Sequence, residues 1–203
     1  MLEGMSLPWI VHKFGGTSVG NSDRYRGVVE ILRSERERSP GDRTAVVVSA
    51  MKGTTDALID SVEGARRQDP AYTGIFSEVK RRHREAIAEL GIESILPGIE
   101  KDFGELEEIL RGVWLARSAS DRIVELVSGF GEIWSARILS GTLSALGFPA
   151  RSLDAREILV VDSNGKRVSV LWEDSQSKWD SFLGESGLGD REILVVTGFV
   201  AST

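Results

Sequence analysis

Three short segments of the chain carry residue types that could do chemistry. The first follows a short apolar run and contains, in order, Lys13, Gly15, Gly16, Thr17 and Ser18. Glycines let backbone N–H groups converge on phosphate oxygens, and a lysine neutralises their charge, so this order suits a polyphosphate. It is not a P-loop, because the lysine precedes the glycines. A Gly-Gly turn after a strand is more often only a turn, and the residues alone leave both interpretations open.

The second segment, residues 48–56, has the order of a strand, a loop and a helix start, with Ser49 at the strand end. Ligands of open α/β sheets bind outside the carboxyl ends of strands, so a hydroxyl and the helix N–H groups could receive a carboxylate here. The plainer interpretation is that Thr54 or Thr55 only caps the helix.

The third segment is Gly131-Glu132, within an apolar helical stretch from about 120 to 146. Gly129 and Gly131 would each cost the helix roughly 1 kcal/mol relative to alanine, which predicts that something approaches the helix backbone closely there. A glutamate on a solvated helix face is the default expectation for Glu132; its functional alternative is to receive a substrate ammonium group. The Gly-Phe-Gly order does not indicate a dinucleotide site, because it lies inside a helix and does not follow a strand.

Composition excludes several classes of function. The chain has no cysteine and two histidines, which excludes disulfides and thiolate zinc sites, and we expect no metal site built from the protein alone. We expect His12 and His83 to be packed, hydrogen-bonded residues. With 25 basic and 31 acidic residues the chain is not expected to bind nucleic acid.

The N-terminus has neither the basic start nor the apolar run of a secretory signal, and no stretch of about 18 apolar residues follows. We therefore predict a cytoplasmic protein without membrane contact. Residues 1–8 are interpreted as an extension or a leftover of cloning.

The order of apolar patterns predicts one α/β domain with a mostly parallel sheet. Strands are expected at 9–14, 44–49 and 193–197, and a hairpin at 158–170 around Asn164-Gly165. One helix is expected after Ser22 as its N-cap, and a second is expected to begin at Thr54 or Thr55. Two apolar stripes, from Tyr72 to Leu90 and from Ile99 to Val113, predict two more helices. A short helix is expected near 172–183.

Taken together and in this order, the three segments resemble the aspartate kinases of the amino acid kinase superfamily. Residues 11–19, residues 46–50 with Thr55, residues 127–135 and residues 197–203 are similar to successive motifs of that family. The sequences of residues 131–136, 154–161 and 198–203 are most similar to those of aspartate kinases fused to homoserine dehydrogenase. An aspartate kinase fused to another lysine-pathway enzyme, or a free-standing aspartate kinase, could contain the same motifs.

The resemblance implies a three-layer sandwich and phosphorylation of the side-chain carboxylate of L-aspartate by ATP with Mg²⁺, the entry to lysine, threonine and methionine synthesis. It implies that Lys13, Gly15, Gly16, Thr17 and Ser18 meet the ATP phosphates, with Lys13 catalytic. It also implies that Ser49 lies nearby and that Thr55 and Glu132 bind aspartate, with Glu132 facing its ammonium group.

Aspartate kinases continue beyond the Gly-Phe turn into a Gly-rich Arg/Ser/Asp segment, an adenine-binding half and regulatory domains. We therefore expect residues 9–203 to be a catalytic domain that lacks its C-terminal portion, weakly active or inactive in isolation, and self-associating as a homo-oligomer through exposed apolar surface. Two alternatives remain open: another amino acid kinase acting on glutamate, carbamate or a nucleotide monophosphate, and a non-catalytic association module.

Overall fold

The fold is described by a computed structural model for residues 8–163 and 168–198. The Asn164-Gly165 turn and the motif residues 199–203 lie outside the described residues. The strands are β1 Trp9–Phe14, β2 Arg43–Val48, β3 Ala150–Leu153, β4 Val161–Ser163, β5 Val168–Val170 and β6 Ile193–Thr197. The helices are α1 Ser22–Arg38, α2 Thr54–Arg66, α3 Ala71–Leu90, α4 Leu96–Ala116, α5 Asp121–Ala145 and α6 Trp172–Ser186.

Four strands form a parallel sheet in the order β1-β2-β6-β3. Lys13 pairs with Val47, and Val47 pairs with Val196, so the carboxyl ends of β1, β2 and β6 lie at one edge of the sheet. The loops that follow these strands therefore start side by side. β4 and β5 form a separate antiparallel pair, which confirms the predicted hairpin strands.

The two faces of the sheet have different neighbours. Val46, Val48 and Val195 point to the face that joins one apolar core with α1 to α5. On the other face, the Trp9 ring packs edge-on against Trp179 of α6, with centroids 5.7 Å apart. Helices thus lie on both sides of a parallel sheet, which confirms the α/β class.

The two apolar stripes of the middle region are the buried faces of α3 and α4, as predicted. The predicted cap of α1 was wrong: the N-cap is Asn21, whose side chain accepts the Arg24 N–H at 3.0 Å. Asparagine caps a helix as well as serine does, and the Ser22 hydroxyl is left to donate to Glu89 of α3. The sequence pattern also placed the first hairpin strand three residues early, because a single helical turn at Ala155–Glu157 comes first.

His83 lies within the core and has 0% exposure. Its Nδ1 is 2.7 Å from the Val79 carbonyl oxygen, and its ring meets Trp134 at 5.0 Å between centroids. Burial lowers the pKa of His83 to about 4. The side chain is the packed histidine that the helical stripe predicted.

Within residues 8–163 and 168–198, no helix combines the length and the apolarity needed to cross a bilayer.

His83 makes the stability of the fold depend on pH. The imidazole has an ordinary pKa of about 6.5 when unfolded, so between pH 6.5 and 4 the unfolded chain binds a proton that the folded chain does not. We expect acidification over this window to remove up to about 3 kcal/mol of unfolding free energy through this residue. The check is urea unfolding from pH 4 to 7.5 of the natural protein and of His83→Phe. As the pH falls from 7.5 to 4, the unfolding free energy of the natural protein should decrease by up to about 3 kcal/mol more than that of His83→Phe. An equal pH dependence in the two proteins would contradict the assignment.

Candidate active site

The loop after β1 is a tight turn built on a glycine. Residues Gly16–Val19 form one turn of 3-10 helix, in which the Ser18 N–H donates to the Gly15 carbonyl at 2.8 Å. Val19 is buried and anchors the turn, whereas Thr17 is exposed. The turn therefore presents its hydroxyls and backbone at the carboxyl edge of the sheet.

The two glycines of this turn differ in what surrounds them. A methyl group on Gly16 would lie 2.8 Å from the Ala50 carbonyl oxygen, which is backbone and cannot move aside. A methyl group on Gly15 would meet no atom within 4 Å in the part of the chain that the structure describes, its two chain neighbours aside. The φ of Gly15, −78°, is open to any residue. Gly16 is thus required by packing, and Gly15 borders open space.

The loop after β2 lies directly beside this turn. The Ser49 N–H donates to the Phe14 carbonyl at 3.0 Å, which carries the strand pairing one residue past β2. The chain then turns through Gly53, whose φ is +77°, a conformation that suits glycine. Gly53 is the N-cap of α2 and no side chain caps it, so the plain interpretation of Thr54 and Thr55 as caps was wrong.

The two threonines at the start of α2 have different surroundings. Thr55 is half-buried at the beginning of the helix. Thr54 has 0% exposure, and its Oγ1 has no hydrogen-bond partner among the described residues. A buried hydroxyl without a partner is unfavourable, so this corner is held together by packing and not by threonine hydrogen bonds.

Helix α5 reaches the same corner through Gly131. A methyl group on Gly131 would lie 2.8 Å from the Ala50 side chain and 3.1 Å from Cγ2 of Thr54. This contact confirms that a neighbour approaches the helix backbone closely at Gly131, as predicted, and the approaching atoms belong to the side chains of Ala50 and Thr54. It places the next residue, Glu132, against the loop that follows β2.

Glu132 is buried, with 5% exposure, so the expectation of a solvated helix face was wrong. Its Oε1 accepts the Ala50 N–H over a long 3.4 Å, and burial raises the pKa of Glu132. No ion pair to Glu132 occurs in the described parts of the chain. A buried carboxylate that has only neutral backbone donors among the described residues is poorly compensated and favours a cationic ligand.

Lys13 is the penultimate residue of β1, and its side chain is exposed. Strand alternation places it on the α6 face of the sheet, together with Trp9, whereas Glu132 belongs to the opposite layer. The two groups therefore share the carboxyl edge but not the face. A ligand that contacts both must lie across that edge.

Several residues of this corner have no signal in the sequence pattern. Ala50 contacts both glycines and Glu132, and Arg82 of α3 donates to the Lys52 carbonyl at 2.9 Å, which ties the second loop to a distant helix. Alanine carries no chemistry of its own, and a helix-surface arginine looks like any solvated charge. These residues could not be found without the tertiary fold.

The corner joins a glycine turn, a helix N-terminus, an exposed cation and a buried carboxylate without a cation. The first three suit an anion such as a phosphate or a carboxylate, and the last suits an ammonium group. The arrangement can thus hold a ligand that carries both signs of charge.

The difference between the two glycines generates a prediction about stability. We expect Gly16→Ala to lower the unfolding free energy by about 1–3 kcal/mol, because the methyl group overpacks the Ala50 carbonyl. Gly15→Ala is the matched control and should change it by less than about 1 kcal/mol. Chemical denaturation of the three proteins measures both effects. Equal stability of the two variants would contradict the contact between the loops.

Comparison with known proteins places the chain in a family. The family model described as the amino acid kinase family matches residues 8–203. Among curated proteins, the chain is 34% identical over 200 residues to bifunctional aspartokinase/homoserine dehydrogenase 2, chloroplastic, from Arabidopsis thaliana. That alignment covers 96% of this chain and 21% of the plant protein. Aspartokinase 2, chloroplastic, from the same plant is 28% identical over 193 residues, which cover 94% of this chain and 34% of that protein.

Among solved structures, E. coli aspartokinase III in complex with lysine and aspartate superposes with a TM-score of 0.82 at 21% identity. The match covers 97% of this chain and 42% of that chain. The same enzyme in complex with aspartate and ADP gives a TM-score of 0.82 at 20% identity. The chain spans about a fifth of the bifunctional plant relative and about two fifths of aspartokinase III, so its fold is part of the aspartokinase fold. From the family match over residues 8–203 and the shared α/β fold, we conclude that the chain belongs to the amino acid kinase family.

Proposed function

We propose that the protein phosphorylates the side-chain carboxylate of L-aspartate with ATP and Mg²⁺ to give aspartyl phosphate. The observation that carries the proposal is Glu132, a buried carboxylate without an ion-pair partner among the described residues, next to the loop after β2. The α-ammonium group of an amino acid is the cation it lacks. The aspartokinase names of the relatives, and the aspartate and ADP bound to aspartokinase III, support this choice of substrate.

The nucleotide is proposed to lie at the loop after β1. Its phosphates would meet Lys13 and the turn composed of Gly15, Gly16, Thr17 and Ser18. The open space beside Gly15 supports this assignment, because a methyl group placed there would meet no atom of the described residues within 4 Å, apart from its chain neighbours. Mg²⁺ would neutralise charge on the same phosphates, as it normally does in phosphoryl transfer.

Aspartate is proposed to lie between the second loop and α5. Glu132 would receive the ammonium group, and Ser49 and Thr55 would donate hydroxyl hydrogens to the carboxylates. A side-chain carboxylate oxygen then attacks the γ-phosphorus, the bond to the bridging oxygen breaks, and ADP leaves with that electron pair. Such a transfer needs mainly in-line positioning and cations around the moving phosphoryl group, and Lys13 would supply one of them.

The wider setting is proposed on the same basis. Residues 9–203 would be the N-terminal part of a catalytic domain that works as a homo-oligomer in the first step of lysine, threonine and methionine synthesis. The cytoplasmic location that the sequence suggests stays a prediction, since the plant relatives are named as chloroplastic proteins.

A substrate panel tests the proposed reaction. The full-length natural protein that contains this sequence is assayed with MgATP and L-aspartate, L-glutamate, carbamate or UMP. Turnover is followed by ADP formation, and any acyl phosphate is also trapped with hydroxylamine. We expect kcat/KM for L-aspartate to exceed that for L-glutamate by at least about a hundredfold, since one extra methylene shifts the reacting carboxylate away from the phosphate. Preferred turnover of any other member of the panel would overturn the substrate, and no turnover of any would overturn the activity.

Lys13 is the residue whose loss should affect turnover most. We expect Lys13→Ala to lower kcat by at least about a hundredfold, the scale of one charge contact in the transition state. Lys101→Ala is the matched control, because Lys101 is an exposed lysine of α4 whose Nζ lies 3.6 Å from Glu105. Its kcat should stay within about twofold of the natural value, as for most surface substitutions. Near-normal turnover of Lys13→Ala would remove Lys13 from the mechanism.

A further inference from the structure

Tyr25 connects two parts of the candidate active site. It lies on α1, the helix that begins three residues after the glycine turn, and has 0% exposure. Its hydroxyl is 2.9 Å from Oγ of Ser135, a residue 110 positions further along the chain. Ser135 also has 0% exposure, so no water competes for this hydrogen bond.

Ser135 lies on α5, three residues after Glu132. Residues three apart are neighbours on a helix surface. The hydrogen bond at Ser135 therefore constrains α5 within one turn of Glu132. Gly131, four residues before Ser135 on the same side of the helix, lies against Ala50 and Thr54. One side of α5, next to Glu132, thus contacts both the second loop through Gly131 and α1 through Ser135.

We propose that Tyr25 is a positioning residue of the active site: its hydrogen bond to Ser135 sets the spacing between the glycine turn before α1 and Glu132 on α5. This inference rests on the proposed function, in which the turn holds the ATP phosphates and Glu132 holds the aspartate ammonium group. In-line transfer depends on the distance between these two subsites, and small misplacements slow such reactions strongly.

Packing alone would not give the same constraint. An apolar contact is non-directional, whereas a hydrogen bond fixes both a distance and a direction. Without the phenol, the Ser135 hydroxyl would bond the carbonyl four residues earlier, as serines in helices do, and such bonds often bend the helix. That carbonyl belongs to Gly131, the residue that contacts the second loop.

The ligand-free test is amide hydrogen exchange in the full-length natural protein and in Tyr25→Phe. We expect exchange of the amides of residues 15–20 and 49–53 to be about tenfold faster in Tyr25→Phe, the effect of losing one buried hydrogen bond on local opening. The matched control is Thr142→Val, which removes another buried hydroxyl from α5. The Thr142 hydroxyl donates to the Ile138 carbonyl at 2.7 Å within the helix and, among the residues that the structure describes, links no second element. Its substitution should leave exchange at both loops within about twofold.

Equal exchange at these loops in Tyr25→Phe and Thr142→Val would overturn the proposal. A Ser135→Ala variant and the double variant Tyr25→Phe with Ser135→Ala separate the hydrogen bond from general softening of the core. If the bond acts as proposed, the double variant exchanges at the two loops no faster than Tyr25→Phe alone. Additive acceleration in the double variant would contradict it.

Kinetics give a second readout. We expect Tyr25→Phe to lower kcat about tenfold while KM for L-aspartate changes less than about threefold, because each subsite stays intact and only their alignment is lost. A larger change in KM than in kcat would count against positioning. If the natural protein does not phosphorylate aspartate, the proposed function fails, and the exchange experiment still decides whether Tyr25 links the loops.

Discussion

The candidate site depends on the place where three backbones meet at Ala50. Its carbonyl oxygen leaves no room for a side chain on Gly16, its methyl group leaves none on Gly131, and its N–H points to Glu132. One small residue thus brings together the loops after β1 and β2 and the helix α5. A larger side chain at Gly16, Ala50 or Gly131 would push these elements apart. It would thereby separate the turn that we assign to phosphates from the carboxylate that we assign to an ammonium group.

This packing has an electrostatic consequence. It holds the Glu132 carboxylate away from water, and this burial raises its pKa, although backbone N–H groups, among them that of Ala50 at 3.4 Å, donate to the carboxylate. Folding energy from the surrounding core offsets this unfavourable burial. A ligand that brings a cation to Glu132 recovers interaction energy, so the fold favours a charged ligand at a defined place.

Much of the fold follows from local patterns that are strong in this chain. The β-branched run of β2 and the apolar stripes of α3 and α4 are set by burial on fixed periods, and the structure has them where the pattern places them. The glycine inside α5 also has an unambiguous physical meaning, since a helix keeps such a residue at a stability loss of roughly 1 kcal/mol only where packing needs it.

Other features depend on tertiary placement and have no local signature. Asn21 and Ser22 are equally good caps by residue type, and the structure has Asn21 as the cap while Ser22 donates to Glu89 of a distant helix. A glutamate beside apolar residues has the same sequence pattern whether the neighbouring element covers it or not. The bond between Tyr25 and Ser135 joins residues 110 positions apart, and nothing in either segment indicates it.

The central claim is that Glu132 is a receptor for the ammonium group of aspartate. The most direct test is to measure the pKa of the Glu132 carboxyl group by carbon-13 NMR in the full-length natural protein with MgADP bound. The pKa is compared in three states: without an amino acid, with L-aspartate, and with succinate, which lacks the ammonium group. The account predicts that L-aspartate lowers this pKa, because a nearby cation favours the ionised carboxylate, and that succinate does not. A pKa that is the same without ligand and with saturating L-aspartate, or that succinate lowers equally, would contradict it.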